Sequence, residues 1–213
     1  MLSDRAPAPD KLIALEEALH ETTRMADLVD SLLTLARADE GRFDLHRERV
    51  PLAPLAVEVF ETATILGEAA GLTVTMPEIA DVVVLADRTR LRQLFLNIVT
   101  NALKYTTTGS VELSLVAHDR TVVFTVRDTG MGISAADLPH IFERFYRADR
   151  ARSRSAERGG FGLGLAISQW IAEAHGGTIS VRSRLGRGTT FTVTVPVAED
   201  AVVTPPVEQL SAE

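Results

Sequence analysis

The chain has no cysteine, one tryptophan, two tyrosines and no long apolar run, over 213 residues. Without cysteine there are no disulfides and no thiolate metal sites, which fits a reducing compartment. No hydrophobic stretch approaches the roughly 18 to 20 residues needed to cross a bilayer, and no signal peptide is visible. Basic charge is also short: 22 Lys and Arg stand against 29 Asp and Glu, a net charge of -7 that argues against a general nucleic-acid binder. What is there in quantity is apolar chain. At 46% hydrophobic residues, the sequence can build one good core with a helical appendage.

Four short motifs follow one another in order: Asn97-Ile-Val-Thr-Asn101-Ala-Leu-Lys104-Tyr105, Asp128-Thr-Gly130-Met-Gly132, Phe142-Glu-Arg-Phe145-Tyr146-Arg147, and Gly159-Gly160-Phe-Gly162-Leu163-Gly164-Leu. Asn97 and Asn101 lie four apart in a stretch, Arg88 to Tyr105, that is apolar at Leu91, Leu94, Phe95, Ile98 and Leu103. This spacing predicts an amphipathic helix with both amides near one face, where their oxygens can share a hard cation with phosphate. Asp128 ends an alternating run, Thr121 to Asp128, that predicts a half-buried strand, and glycines follow at once to permit a tight turn. A carboxylate there can accept from an exocyclic amine such as that of adenine. The second glycine cluster opens an apolar stretch, Leu163 to Ala174, so its amides lie at a helix N-terminus where phosphate is favoured. Taken singly, each motif has an innocent explanation as a cap, a turn or a solvated face; order and spacing make the case.

With these motifs the chain, from about Lys11 to Pro196, resembles the catalytic and ATP-binding domain of the bacterial sensor histidine kinases. These belong to the superfamily that also holds gyrase, chaperone and mismatch-repair ATPases. The resemblance implies that Asn97 and Asn101 bind magnesium and phosphates, with Lys104 and Tyr105 following as the family has them. It places Asp128 on adenine, with Gly130 and Gly132 behind it. The phenylalanine motif matches Phe142, Phe145 and Tyr146, and the second glycine box matches Gly160, Gly162 and Gly164, with Leu163 inside it. Gly188-Thr-Thr190-Phe191 resembles the last glycine-Thr/Ser box, whose hydroxyl, on Thr190, would sit near the adenine. ATP and Mg2+ are thus the implied cofactors.

The hydrolysing branches of the superfamily carry a glutamate four residues before the metal-binding asparagine, as the base that activates water. Here that position is Asn97, and an amide is no base near neutral pH. This favours a kinase that keeps its ATP from water until a protein nucleophile arrives. The family's phosphoacceptor histidine lies on the first helix of a helical hairpin, which this sequence is expected to lack. Met1 to Asp10 reads as a loop, and Lys11 to about residue 40 resembles the hairpin's second helix. His20-Glu21 superficially matches the acceptor dipeptide, yet Arg24 and Met25 stand where the family has Thr or Asn and then Pro, so His20 reads as a helix-surface residue. The helix has a broad apolar stripe, Leu12, Leu15, Leu19, Met25, Leu28, Val29, Leu32, Leu33 and Leu35, of the kind that packs inside a four-helix bundle.

The implied partners are a histidine-bearing hairpin, from the chain's own missing segment or from another chain, and a response regulator that receives the phosphate on an aspartate. The resemblance implies a homodimer in the full-length form, a cytoplasmic location and membrane contact only through absent segments. Arg144 to Arg158 carries six arginines against Asp149 and Glu157. In the family this segment is the lid over the nucleotide, and Arg147 is the arginine expected to help catalysis at the γ-phosphate.

The fold expected is α+β: a two-layer sandwich with a mixed sheet covered on one face by helices, preceded by one long helix. Strands are predicted at Phe43 to Val50, Leu72 to Met76, Val82 to Ala86, Val111 to His118, Thr121 to Asp128, Thr178 to Ser183 and Thr189 to Pro196, with a further helix from Leu52 to Ala70. The ATP-binding domain is assigned to 41–196 and a disordered tail to 197–213, on the strength of Pro205-Pro206 and scattered acids. His46 and His118 read as polar strand positions, His140 as packing, and His175 as a helix-end cation or cap. Other readings stay open: a non-catalytic ATP-sensing interaction module, an ATPase of the gyrase or chaperone type, and an anti-sigma-type serine kinase.

Overall fold

The structure, a computed structural model, describes residues 9–40, 44–148, 161–198 and 204–210. The chain divides into two units, 1–43 and 44–213. The described residues of the first form one helix, α1 (Pro9–Asp39). It starts on Pro9, where a missing N–H costs little because donors of the first turn have no helical acceptor. Leu15, Leu19, Met25, Val29, Leu32 and Leu33 are all exposed along it. Of the loop expected from Met1 to Asp10, Pro9 and Asp10 belong to α1 instead, and residues 1–8 lie outside the described residues, as does the side chain of His20.

The second unit carries the sheet. A mixed six-stranded sheet runs β6 (Thr178–Arg184), β7 (Gly188–Pro196), β5 (Thr121–Asp128), β4 (Ser110–His118), β2 (Thr73–Asp81), β8 (Thr204–Leu210). Only β2 and β4 are parallel among its pairs. Between them the chain passes through β3 (Val83–Ala86) and α3 (Arg88–Tyr105), the long crossover that parallel neighbours require. The first predicted strand is shorter than its sequence pattern: β1 (Glu48–Pro51) leaves the main sheet and pairs antiparallel with β3.

Three helices cover one face: α2 (Leu52–Ala69), α3 and α4 (Gly164–Ala174). Pro54 lies in the first turn of α2, where it removes no helical bond. Asp87 caps α3 by accepting from the N–H of Arg90 at 3.1 Å. The buried positions of α3, Leu91, Leu94, Phe95, Ile98, Val99, Ala102 and Leu103, recur every three or four residues and face the sheet. Phe95 stacks on Phe124 of β5 with ring centroids 4.0 Å apart. Along β5 and β7 burial alternates with side-chain direction. Thr125, Thr192 and Thr194 of the opposite face stay half-buried and Arg127 exposed, as a sheet with one wet face requires.

One expectation needs correction. Residues Thr204–Leu210, read as part of a disordered tail, form β8 and pair antiparallel with β2, Ile79 opposite Val207. Pro205 and Pro206 weighed toward disorder in the sequence, but β8 is the outermost strand, the place where a missing N–H is tolerated. No helix among the described residues is long and apolar enough to cross a membrane.

Candidate nucleotide-binding site

Asp128 closes β5 and is 5% exposed. Its Oδ1 accepts two backbone N–H groups, from Gly130 at 2.8 Å and from Thr189 at 3.2 Å. Burial pushes the carboxyl pKa up, and the two backbone donors oppose that shift. The other oxygen, Oδ2, receives no protein donor among the described residues, and no buried side-chain oxygen there lacks a partner. Oδ2 therefore faces accessible space, a negative acceptor aimed at whatever enters beside the sheet.

Glycine is what lets the backbone close in around this carboxylate. A Cβ on Gly130 would press on the Tyr105 carbonyl and stand 2.8 Å from the Thr106 hydroxyl. Gly132 has φ +68 and backs onto the Arg184 carbonyl; Gly188 has φ +92 and backs onto the Asp128 carbonyl. The Met131 N–H reaches the Tyr105 carbonyl at 3.1 Å, and the Gly186 N–H reaches the Met131 carbonyl at 2.7 Å. The loop after Asp128 is thus wedged between the end of α3 and the β6–β7 turn.

The second half of the site lies where α3 meets α4. Asn97 donates from Nδ2 to the Gly164 carbonyl at 3.2 Å and comes within 3.5 Å of the Ser168 hydroxyl, which itself donates to Gly164 at 2.8 Å. With the amide nitrogen engaged, Oδ1 of Asn97 is left as an acceptor. Asn101 follows one turn later, half-buried and without a side-chain hydrogen bond among the described residues. α4 begins with no side-chain cap on Leu163, so the N–H groups of its first turn are open to an anion. Neutral hard oxygens on one helix, facing free amides on the next, suit a magnesium ion with a polyphosphate.

The phenylalanine motif is anchored from below. Tyr146 donates its hydroxyl to Asp137 Oδ1 at 2.6 Å, and the Ser134 hydroxyl donates to Oδ2 at 2.6 Å. The Ser134 and Tyr146 donors hold the Asp137 carboxyl below its usual range, and the same bond raises the phenol. Phe145 takes φ +62 and gives its N–H to the Gly162 carbonyl at 2.9 Å. A side chain on Gly162, itself at φ +75, would sit 2.8 Å from the Phe145 backbone. His140 is half exposed, with its ring centroid 5.4 Å from that of Tyr146, and it hydrogen-bonds Glu143 at 2.6 Å.

The structure brings Asn97, Gly162, Leu163 and Gly164 together, and gathers Asp128, Gly130 and Gly132 around the end of α3. Lys104 and Tyr105 occupy its last turn, with the ammonium 5.1 Å from the phenol ring centroid. Arg147 is exposed, just after the phenylalanine motif. Gly160 and most of the arginine-rich segment lie outside the described residues. Thr190 is placed differently from expectation. It stands opposite Arg127 in the β5–β7 register, on the wet face, while its neighbour Thr189 is buried with its N–H on Asp128. Strand alternation decides this: residues adjacent in sequence face opposite sides. Thr189 hydrogen-bonds Ser183 at 2.9 Å, and Ser183 supports the loop through the Ile133 N–H at 2.8 Å. Counting alternation back from Phe191, which is buried, would have found Thr189 in the sequence.

Comparison with known proteins agrees with this geometry. The family model described as histidine kinase-, DNA gyrase B- and HSP90-like ATPase matches residues 86–199, from the last residue of β3 to just past β7. The chain belongs to this family. It is similar to the sensor histidine kinase RppB of Synechocystis, 34% identical over 94% of this chain and 44% of that protein. It is equally similar to the sensor protein SrrB of Staphylococcus aureus, 34% identical over 90% of this chain and 33% of that one. The chain thus spans less than half the length of these two relatives. Among solved structures, full-length ShkA in complex with AMPPNP superposes with a TM-score of 0.77 at 31% identity, covering 93% of this chain and 40% of that one. Histidine kinase AdeS of Acinetobacter baumannii has the same fold, with a TM-score of 0.71 at 22% identity over 91% of this chain and 87% of that one.

Proposed function

We propose that this chain is the ATP-binding catalytic part of a two-component sensor histidine kinase, and that it transfers the γ-phosphoryl group of ATP to a histidine on a helical hairpin. The observation that carries the reading is Asp128: a buried carboxylate with one oxygen saturated by backbone donors and the other open, wedged among glycines inside the family-matched segment. Likeness to a kinase solved with AMPPNP supports it.

In this reading the adenine amine donates to Asp128 Oδ2, while the triphosphate lies along the first turn of α4 between Gly162 and Gly164. Asn97 and Asn101 would hold a magnesium ion through their amide oxygens, and such an ion would supply positive charge to the phosphates. Asn97 is fixed by Gly164 and cannot take a proton, so water in the site is not activated. Arg147 adds positive charge beside the γ-phosphate. The bond from the γ-phosphorus to the bridging oxygen breaks, a bond to an imidazole nitrogen of the hairpin histidine forms, and ADP leaves. The phosphohistidine then passes its phosphoryl group to an aspartate of a response regulator. Working as a homodimer on the cytoplasmic side of the membrane belongs to the same reading, with α1 offering its exposed apolar residues to the hairpin bundle.

The test is incubation with γ-labelled ATP and Mg2+, with and without a histidine-bearing hairpin from a related kinase. Acid-labile label on the added hairpin alone is the expected result. Label on this chain would move the acceptor to an internal site such as His20. ATP binding without label anywhere would favour an ATP-sensing module.

A further inference from the structure

α3 and α4 run antiparallel and are held by polar bonds at two levels of an otherwise apolar contact. One level is Asn97 on Gly164, inside the nucleotide site. The other lies at the far end, where α4 finishes in His175 and α3 starts at Asp87. His175 is 6% exposed. Its Nδ1 bonds the Ile171 carbonyl at 2.7 Å, and its Nε2 faces the backbone N–H of Asp87 at 3.0 Å. A carbonyl on one side and an N–H on the other fix the tautomer: Nδ1 donates and Nε2 accepts, so the ring is neutral.

We propose that His175 is a positioning residue for the nucleotide site, a clamp whose neutral ring sets α4 against α3 so that Gly164 meets Asn97, and whose protonation loosens nucleotide binding. The proposal rests on the ATP-site reading above. A proton on Nε2 would point at the Asp87 N–H, two donors facing each other where water does not reach. Asp87 itself is committed elsewhere: its oxygens accept from the N–H groups of Arg90 at 3.1 Å and His46 at 3.2 Å. The charged groups facing the ring among the described residues are Asp87 and Arg47, whose guanidinium binds the Ala174 carbonyl at 2.7 Å. Burial lowers the His175 pKa first, and Arg47 lowers it further, against the Ile171 carbonyl and Asp87, which raise it. The clamp therefore holds above the ordinary histidine value of 6.5 and fails as pH falls through the lowered one. Of the helix-end cation or cap expected at this position, His175 is the cap of α4, held as a neutral double hydrogen-bonder.

The experiment titrates the whole chain with Mg-ATP by calorimetry at several pH values from 7.5 to 5.5, for wild type, His175→Gln and His175→Phe, with circular dichroism showing folded protein throughout. Gln keeps an acceptor for Asp87 but does not titrate. Wild type should lose about tenfold more affinity than His175→Gln across the range, one buried hydrogen bond's worth. His175→Phe should already be weakened about tenfold at pH 7.5 and show the Gln slope. Should a variant not fold, the amide resonance of Asp87 in wild type must shift with the same pH midpoint as the affinity. Equal slopes, or different midpoints, overturn the clamp alone. Absence of ATP binding by wild type at pH 7.5 overturns the nucleotide reading and the clamp with it.

Discussion

The two ends of the site are built by different means. Around Asp128 nearly every contact is backbone: amides on Oδ1, carbonyls against glycines, and a loop pinned to the end of α3 and the β6–β7 turn. Around Asn97 and Asn101 the site is carried by side chains of α3 beside the first turn of α4. A backbone-built end holds one shape at little entropic cost, which suits recognition of a flat base. A helix-borne end sets neutral amide oxygens and open N–H groups where charge moves from one phosphate to the next, which suits transfer.

The sharpest way to separate these roles lies at the phosphate end. Asn101→Ala should lower phosphotransfer to a supplied hairpin on the order of 100-fold, the usual cost of deleting one electrostatic stabiliser. Since Asn101 makes no side-chain bond among the described residues, its melting temperature should stay unchanged. Asn97→Ala should slow transfer comparably but also lose the bond to Gly164, dropping the melting temperature by about 2–4 °C. A melting loss in Asn101→Ala equal to that in Asn97→Ala would erase the distinction.

At the adenine end, Asp128→Asn should weaken ATP binding about 10- to 100-fold, because an amide nitrogen can replace the open acceptor. The same change should not destabilise the nucleotide-free protein. Burial raises the Asp128 pKa, so the folded state holds that proton more tightly than the unfolded chain does. Its favourable contribution is complete below the ordinary value of 3.8 and is lost as pH rises through the raised one, leaving a charged, costly group at neutral pH. Asp128→Asn should therefore melt at or above wild type at pH 7, with the difference shrinking as pH is lowered. Melting curves with and without ATP check both statements.

A smaller effect distinguishes two glycines of one box. Gly162→Ala meets φ +75 and the Phe145 backbone at 2.8 Å, and should cost about 1–2 kcal/mol or more. A side chain on Gly164 finds only Asn97 atoms at 3.8 Å, so Gly164→Ala should fold normally and show any deficit in ATP binding alone. Smallest is the threonine pair: Thr189→Ala should cost about 1 kcal/mol through its Ser183 partner, and Thr190→Ala, across from Arg127, nothing measurable. Denaturant melts resolve all four variants.

Much of this was legible before the fold. The bounds of α3 and β5 coincide with the apolar spacing, because each buries one face and the period records it. Asp128 and the asparagine pair could be read because turn glycines and a one-turn spacing are local signals. What escaped was set by pairing between distant segments. The choice of Thr189 over Thr190 depends on register with β5, and β8 on an edge of β2 that no local pattern announces. β1 left the main sheet because its partner is β3. The neutral state of His175 comes from an N–H 88 positions away, which no reading of its neighbours could supply.

The most direct measurement is competition of ATP and GTP for the wild-type chain in the presence of Mg2+. GTP places a carbonyl oxygen where ATP has its amine, so it would set that oxygen against Asp128 Oδ2. The account predicts ATP bound at least about 100-fold more tightly, a preference that collapses in Asp128→Asn. Equal affinity for the two nucleotides would contradict the reading of Asp128 on which the rest depends.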